Sequence, residues 1–172
     1  MISDTKVVAI GGGTGLSTML KGLKLHTHNI TAVVTVADDG GSSGILRSDL
    51  GMLAPGDVRN CVSALAEVDP VMGELLNFRF KDGSLKGHSL GNLFLAALNE
   101  TSSSFDEAVK KFSHLAGVVG TVYPVTNESV TLSALLEDGR LIEGESHIGV
   151  HHDGPKNGIV KLMVNPEKPK AV

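Results

Sequence analysis

The segment with the clearest chemical potential is a glycine-rich loop near the N-terminus. Residues 7–17 read Val-Val-Ala-Ile-Gly-Gly-Gly-Thr-Gly-Leu-Ser, so four apolar residues precede four glycines, and an apolar helical pattern follows. Unpaired backbone N–H groups at a helix start attract anions, because they lie at the positive end of the helix dipole. The alternative is a tight turn that uses glycine only for its backbone freedom. We predict a phosphate site formed by Gly11, Gly12, Gly13, Thr14, Gly15, Leu16 and Ser17.

The loop matches neither of the two common nucleotide-binding fingerprints. The dinucleotide pattern G-x-G-x-x-G needs a third glycine where this chain has Leu16. The P-loop pattern needs a lysine followed by serine or threonine, and residues 11–17 contain no lysine. The loop therefore predicts phosphate binding in general and disfavours NAD and ATP.

A second polar loop, residues 38–44, reads Asp-Asp-Gly-Gly-Ser-Ser-Gly and follows the next apolar run. In parallel sheets the carboxyl ends of the strands form the ligand-binding edge, so this loop is predicted to lie beside the first. One of Asp38 and Asp39 could accept a ribose hydroxyl or hold Mg²⁺, and adjacent residues of an extended chain point in different directions. The alternative is a turn with two solvated acids.

Two further segments carry candidate ligand contacts. Residues 46–60 place two arginines, two aspartates and an asparagine among apolar residues, and arginine forks suit phosphate and carboxylate. Arg47 and Arg59 could instead pair with Asp49 and Asp57, and Asp57 could serve only a helix start. The predicted sugar or substrate contacts are Asp38, Asp39, Ser42, Ser43, Arg47, Asp57, Arg59, Asn60, Gly91 and Asn92.

Three other features are weaker candidates. Residues 87–92 open a helix in which Ser89 fits an N-cap, and His88 is a weak catalytic candidate. Residues 151–153 read His-His-Asp, but no further ligands lie nearby, so we interpret them as a solvated loop. Cys61 falls on an apolar helical stripe and is interpreted as a core residue.

The elements that would position these residues follow from hydrophobic periodicity. A strand, a helix and a strand come first and predict a right-handed βαβ unit. Residues 38–56 are predicted to be a long loop with at most one helical turn. Ser104 and Glu107 form a capping-box pattern, and Asp138-Gly139 predicts a hairpin turn. The predicted strands are 7–10, 29–37, 118–125, 130–136, 140–148 and 158–164, and the predicted helices are 16–25, 58–68, 71–80, 90–99 and 104–115.

Composition narrows the class of protein. The 172 residues fit a single domain, 1–172, with a helical part to about 116 and a β-rich part over about 117–165. A net charge of −4 and an aromatic content of 3% disfavour nucleic-acid binding. One cysteine precludes an internal disulfide. With no apparent signal peptide and no apolar run that could span a membrane, we expect a cytoplasmic protein.

Four ordered motifs resemble the CofD-like superfamily. They are residues 10–17, residues 35–44, residues 46–60 and His88-Ser-Leu-Gly-Asn92. Within that superfamily the chain is similar to the YvcK group of gluconeogenesis factors. The resemblance implies a Rossmann-like three-layer α/β fold with a parallel sheet core, a β-rich C-terminal segment and a nucleotide-diphosphate site. It also implies either UDP-sugar binding linked to cell shape and gluconeogenic growth, or Mg²⁺-dependent transfer of a phospholactyl-type group from a guanosine-diphosphate donor to a deazaflavin.

Members of the family are about twice as long as this chain, so the sequence is expected to be a truncated one with exposed apolar surface and a tendency to self-associate. We favour a binding protein for a nucleotide sugar such as UDP-N-acetylglucosamine over the transferase. The sequence establishes no cofactor and leaves room for Mg²⁺, with Asp38 or Asp39 as its ligand. An NAD-linked oxidoreductase is disfavoured by Leu16.

Overall fold

The computed structural model describes residues 2–149 and 157–172. It confirms the predicted α/β fold with a parallel sheet and a β-rich C-terminal segment. The elements are, in chain order, β1 (Val7–Gly11), α1 (Gly13–Leu23), β2 (Ile30–Val34), α2 (Gly41–Leu50), α3 (Gly56–Leu65), α4 (Pro70–Asn77), α5 (Leu90–Glu100), α6 (Phe105–Leu115), β3 (Thr121–Pro124), β4 (Thr131–Leu136), β5 (Leu141–Glu143), α7 (Glu145–Gly149) and β6 (Ile159–Asn165).

The parallel sheet has the strand order β1-β2-β3. In its register Ala9 lies opposite Ala32, which in turn lies opposite Val122, and all three are buried. Helices α1, α3 and α6 cover this face and contribute side chains such as Leu20 and Phe112 to one core. Because the strands are parallel, the loops that follow β1 and β2 both leave from the same edge of the sheet.

The prediction of a long loop over residues 38–56 was wrong. Helix α2 occupies Gly41–Leu50, after an extended Gly40, and it ends at Gly51 in the left-handed conformation with φ 64°. Its buried residues are Ser42, Ser43 and Leu46. Two of these three are polar, so the helix carries almost no apolar periodicity for a sequence pattern to detect.

Two predicted helix caps are present. The Ser89 hydroxyl accepts a hydrogen bond from the Asn92 N–H at 3.3 Å and begins α5. The Ser104 hydroxyl accepts from the Glu107 N–H at 3.4 Å and begins α6. The Glu107 carboxylate, however, accepts from the N–H of Ser103 at 2.8 Å, so the return bond of the capping box reaches one residue further back.

The C-terminal sheet is antiparallel with the order β5-β4-β6. The predicted hairpin turn is confirmed, with Gly139 at φ 86° between β4 and β5. The strand predicted over 140–148 is wrong beyond Glu143, because Gly144 turns the chain at φ 93° and α7 follows. No helix within residues 2–149 and 157–172 is both long and apolar enough to cross a membrane.

Candidate functional site

Three of the four sequence motifs meet at one polar cavity of about 270 Å³. The first turns of α2 and α3 line it, and α5 contributes its third residue, Asn92. Since each helix start carries unpaired N–H groups and partial positive charge, the arrangement suits an anionic or polyhydroxyl ligand. The lining residues are Asp38, Gly40, Gly41, Ser42, Ser43, Gly56, Asp57, Arg59, Asn60, Arg79 and Asn92.

A chain of buried hydrogen bonds fixes the polar wall of the cavity. Arg59 Nε donates to Asn92 Oδ1 at 3.3 Å, and since arginine can only donate, this bond sets the orientation of the Asn92 amide. Asn92 Nδ2 then donates to the Ser42 hydroxyl at 3.1 Å. Ser42 Oγ also lies 3.0 Å from His88 Nδ1. All four side chains are more than nine-tenths buried, so the network holds its donors and acceptors in fixed positions.

Two arginines give the cavity its positive charge. Burial lowers the pKa of Arg59, and the neighbouring charge of Arg79 lowers it further. Arg59 Nη1 donates to Asn77 Oδ1, an uncharged partner, at 2.9 Å. Arg79 is exposed and donates to the carbonyl of Gly87. A bound anion would offset the repulsion between the two guanidinium groups.

Asp57 joins the glycine loop to the cavity. Its carboxylate accepts a hydrogen bond from the N–H of Gly13, the first residue of α1, and it lies 3.4 Å from the Thr35 hydroxyl. Gly13 is therefore buried against a negative charge of the protein itself. Thr14 and Gly15, in the same first turn, are exposed. Of the seven residues predicted to bind phosphate, Gly12 is exposed as well, whereas Leu16 is buried in the core.

The two adjacent aspartates, Asp38 and Asp39, face different parts of the structure. Asp38 lines the cavity, and its Oδ1 accepts from the Gly40 N–H at 2.9 Å. Asp39 turns toward α7, where its Oδ1 accepts from the Ser146 N–H at 2.8 Å. Burial acts to raise the pKa of Asp39, but the hydrogen bonds from Ser146 outweigh it and lower that pKa.

Carboxylates crowd one side of the cavity. Burial raises the pKa of Glu145, and the charges of Asp57, Asp38 and Asp39 raise it further. Within the described part of the chain, no three histidine, cysteine or acidic side chains are grouped so that they could hold a metal ion. Any Mg²⁺ at this place would therefore need ligand oxygens in addition to those of the protein, as Mg²⁺ commonly takes from phosphates and water.

Asp57 makes a testable contribution to pH-dependent stability. Burial raises its pKa, and the charge of Asp38 adds to the effect. A carboxyl whose pKa is raised on folding favours the folded state while it is protonated. This contribution to stability is lost as pH rises from the ordinary aspartate pKa through the raised pKa of the folded state. We expect Asp57→Asn to raise the free energy of unfolding at pH 7 by about 1 kcal/mol or less, since the amide oxygen can still accept from Gly13.

Urea unfolding at pH 4 and pH 7 measures this effect. The variant should gain stability relative to the native chain only at the higher pH, and the exposed Asp49→Asn should show no such difference. A loss of stability at pH 7 in Asp57→Asn would contradict the assignment.

Three further residues that were predicted to contact the ligand do not line the cavity, namely Arg47, Gly91 and Ser17. Arg47 donates to the carbonyls of Ala37 and Val130 and to Ser129 Oγ, so it ties α2 to the start of β4 instead of pairing with Asp49. Gly91 packs against the Arg59 side chain, where a Cβ would lie 2.9 Å from Arg59 Cδ. Ser17 is half-buried on α1 and donates to the Thr14 carbonyl at 3.1 Å.

Cys61 is fully buried in α3, and burial raises the pKa of its thiol to about 12, in keeping with a core residue. The histidine pair and aspartate at residues 151–153 lie outside the described residues.

Sequence reasoning missed Arg79 as a lining residue. It lies between Phe78 and Phe80 in a segment predicted as helix, and its only sequence signal is a positive charge between two aromatic residues. A single bridge between Arg79 and Ser89 brings it to the cavity, and no local pattern encodes that pairing.

The fold and site define an α/β protein whose polar loops and helix starts gather beyond one edge of a parallel sheet. The sequence matches the family described as "2-phospho-L-lactate transferase CofD" over residues 7–172, and the chain belongs to this family.

Its relatives carry the name gluconeogenesis factor. The Bacillus subtilis "Gluconeogenesis factor" is 48% identical over 166 residues, which are 95% of this chain and 50% of the relative. A relative from Thermoanaerobacterium thermosulfurigenes is 57% identical over 171 residues, 99% of this chain and 53% of its own length. A crystal structure of a Bacillus halodurans protein matches with a TM-score of 0.90 and 43% identity, covering 98% of this chain and 54% of that one. This chain thus spans about half the length of these relatives.

Proposed function

We propose that this protein is a cytoplasmic regulatory protein that binds a nucleotide sugar of the UDP-N-acetylglucosamine type. Its function would link the supply of that compound to gluconeogenic growth, cell shape and cell-wall metabolism. The observation that carries the proposal is Asp57, which contacts the Gly13 N–H on one side and lines the polar cavity on the other. An extended ligand could therefore occupy the glycine loop and the cavity together.

The two ends of such a ligand need different partners. The diphosphate requires unpaired N–H groups with open space in front of them, and Thr14 and Gly15 are exposed at the start of α1. A Cβ at Gly15 would meet no atom within 4 Å, so the backbone here is open to close approach. The hydroxyl groups of a sugar require mixed donors and acceptors, which Asp38, Ser43 and Asn92 supply in the cavity.

Calorimetric titration with UDP-N-acetylglucosamine, GDP and NAD, with and without Mg²⁺, tests the proposal. We expect the UDP-sugar to bind most tightly, to keep its affinity after chelation of Mg²⁺, and to undergo no turnover. Gly15→Val should weaken UDP-sugar binding at least tenfold, because its side chain fills the space in front of the loop. Asp38→Ala should also weaken it, through loss of an acceptor in the cavity.

Gly22→Val is the matched control, since Gly22 lies in the same helix and its Cβ would also meet no atom within 4 Å. It introduces the same β-branched residue away from the loop and should leave affinity unchanged. Equal losses in the two variants would remove the loop from the binding site. Absence of affinity for any UDP-sugar would overturn the proposal as a whole.

A Mg²⁺-dependent transferase of the CofD type is the second candidate. The matching family's description supports it, and so does the crowding of Asp38 and Asp57, whose like charges oppose each other across the cavity. Mg²⁺ would supply charge neutralisation at a donor phosphate, with Asp38 or Asp39 as the predicted protein ligand. Asp57 would then orient an acceptor hydroxyl. Product formation from a nucleotide-diphosphate donor that stops on chelation would favour this candidate over the binding protein.

A further inference from the structure

The buried hydrogen bonds of the polar cavity run in one direction. Arg59 Nε can only donate, so Asn92 accepts through its Oδ1 at 3.3 Å. The amide nitrogen of Asn92 then donates to Ser42 Oγ at 3.1 Å. A serine hydroxyl has one proton and two lone pairs, and the bond from Asn92 occupies one of the lone pairs. One proton and one lone pair of Ser42 therefore remain available.

The imidazole of His88 competes with a ligand for these two. Its Nδ1 lies 3.0 Å from Ser42 Oγ, and both side chains are more than nine-tenths buried. Ser42 lines the cavity and His88 does not, so His88 reaches a ligand through the Ser42 hydroxyl. An imidazole that carries its proton on Nε2 accepts at Nδ1, whereas an imidazolium donates from both nitrogens.

The two charge states of His88 give Ser42 opposite hydrogen-bonding characters. When the imidazole is neutral, Ser42 donates its proton to Nδ1, and the lone pair that remains can only accept from a ligand. When the imidazole is protonated, Nδ1–H and the Asn92 amide fill both lone pairs, and the Ser42 proton is left for a ligand. We propose that His88 is a positioning residue that sets whether the cavity presents an acceptor or a donor at Ser42.

The charge state of His88 then determines which ligand group lies at Ser42. With neutral His88, Ser42 joins Asp38 as an acceptor, so the ligand must present a hydroxyl or N–H group here. Phosphate oxygens, which only accept, are disfavoured at this position. Under the proposed function, on which this assignment rests, the group is a hydroxyl of the sugar. With protonated His88 the same position donates, and the added positive charge favours an anion.

Other charged groups surround the pair and also respond to pH. The cavity is lined by two arginines and two aspartates, namely Arg59, Arg79, Asp38 and Asp57. Burial and the charges of the neighbouring carboxylates raise the pKa of Glu145. The charged side chains in the segment just before His88 are exposed, namely Lys81, Asp82 and Lys86. Because the carboxylates near the cavity bind protons at low pH as well, a variant that changes only His88 is needed to isolate its effect.

Sulfate is a suitable probe, because it can only accept hydrogen bonds and keeps its charge between pH 5.5 and pH 8. Its binding to the protein without any nucleotide is followed through the NMR signal of the Asn92 side-chain amide. We expect sulfate affinity to rise by about tenfold from pH 8 to pH 5.5, a range in which histidine changes its charge, because Ser42 then donates to the anion.

Two substitutions separate the hydroxyl from the charge, and circular dichroism checks that both variants are folded. His88→Gln cannot be protonated but keeps every carboxylate, so its sulfate affinity should rise less than about threefold over the same range. Ser42→Ala keeps the charge of the imidazolium but lacks the hydroxyl, and it should also rise less than about threefold. His28→Gln is the matched control and should respond like the native chain, since His28 is exposed and precedes β2, at the edge of the sheet opposite the cavity.

The ring nitrogens of His88 provide a second measurement on the ligand-free protein. At pH 8, nitrogen-15 NMR should show a proton on Nε2 and none on Nδ1, and the His88→Gln spectrum identifies these signals. A proton on Nδ1 at pH 8, absence of sulfate binding at pH 5.5, or a native-like pH response of Ser42→Ala or His88→Gln would each overturn the inference. Absence of affinity for UDP-N-acetylglucosamine would instead overturn the proposed function and leave the sulfate results unchanged.

Discussion

Replacing Gly13 by alanine is expected to lower the free energy of unfolding by about 3 kcal/mol, at the upper end of what overpacking usually costs. A Cβ at this position would lie 2.6 Å from Asp57 Cγ and 2.8 Å from Asp57 Cα. The second contact is with backbone, so a change of side-chain rotamer cannot relieve it. The helices α1 and α3 would have to move apart, and both pack on the same core.

Gly15→Ala provides the comparison within the same loop. Its Cβ would meet nothing within 4 Å, and alanine is a better helix former than glycine, so we expect a change between zero and about 1 kcal/mol of added stability. Urea unfolding of the two variants measures the difference directly. If Gly13→Ala were as stable as the native protein, the close approach of α1 to Asp57 would be refuted.

The contrast between these two glycines separates two roles that the sequence presents as one. Gly13 allows close packing between two helices, and its N–H is bonded to the protein's own carboxylate. Gly15 leaves a helix start open to solvent. A ligand phosphate at the loop would therefore depend on the exposed amides, while Gly13 maintains the geometry around them.

Sequence reasoning succeeded where the deciding interaction is local. The Ser104 cap of α6 joins residues three positions apart, and the turn at Gly139 depends on a single dihedral angle, so both could be predicted. The parallel strands could be predicted too, because β2 is a continuous run of apolar and β-branched residues.

It failed where tertiary contacts replace the usual pattern. Helix α2 buries serines against a polar cavity, so its inward face carries no apolar stripe to detect. The bond between Asp57 and Gly13 joins residues far apart in the sequence, and nothing local indicates it. The cavity itself depends on three helix starts meeting in space, which only the packing of the helices determines.

Replacing Arg59, the buried arginine of the cavity, is expected to have the second large effect on stability. Arg59→Met is expected to lower the free energy of unfolding by about 2 kcal/mol, because it leaves the buried Asn92 Oδ1 without its hydrogen bond from Arg59. Methionine keeps most of the aliphatic stem that packs against Gly91, so the loss reports the guanidinium group and not a cavity.

Arg79→Met separates stability from ligand recognition, since Arg79 lines the same cavity but is exposed. It should change stability by no more than about 0.5 kcal/mol, as is usual for exposed positions. Both variants should weaken UDP-N-acetylglucosamine binding by about tenfold, because each removes hydrogen-bond donors from the cavity that the proposed function assigns to the sugar. Unchanged affinity in both folded variants would contradict that assignment of the cavity.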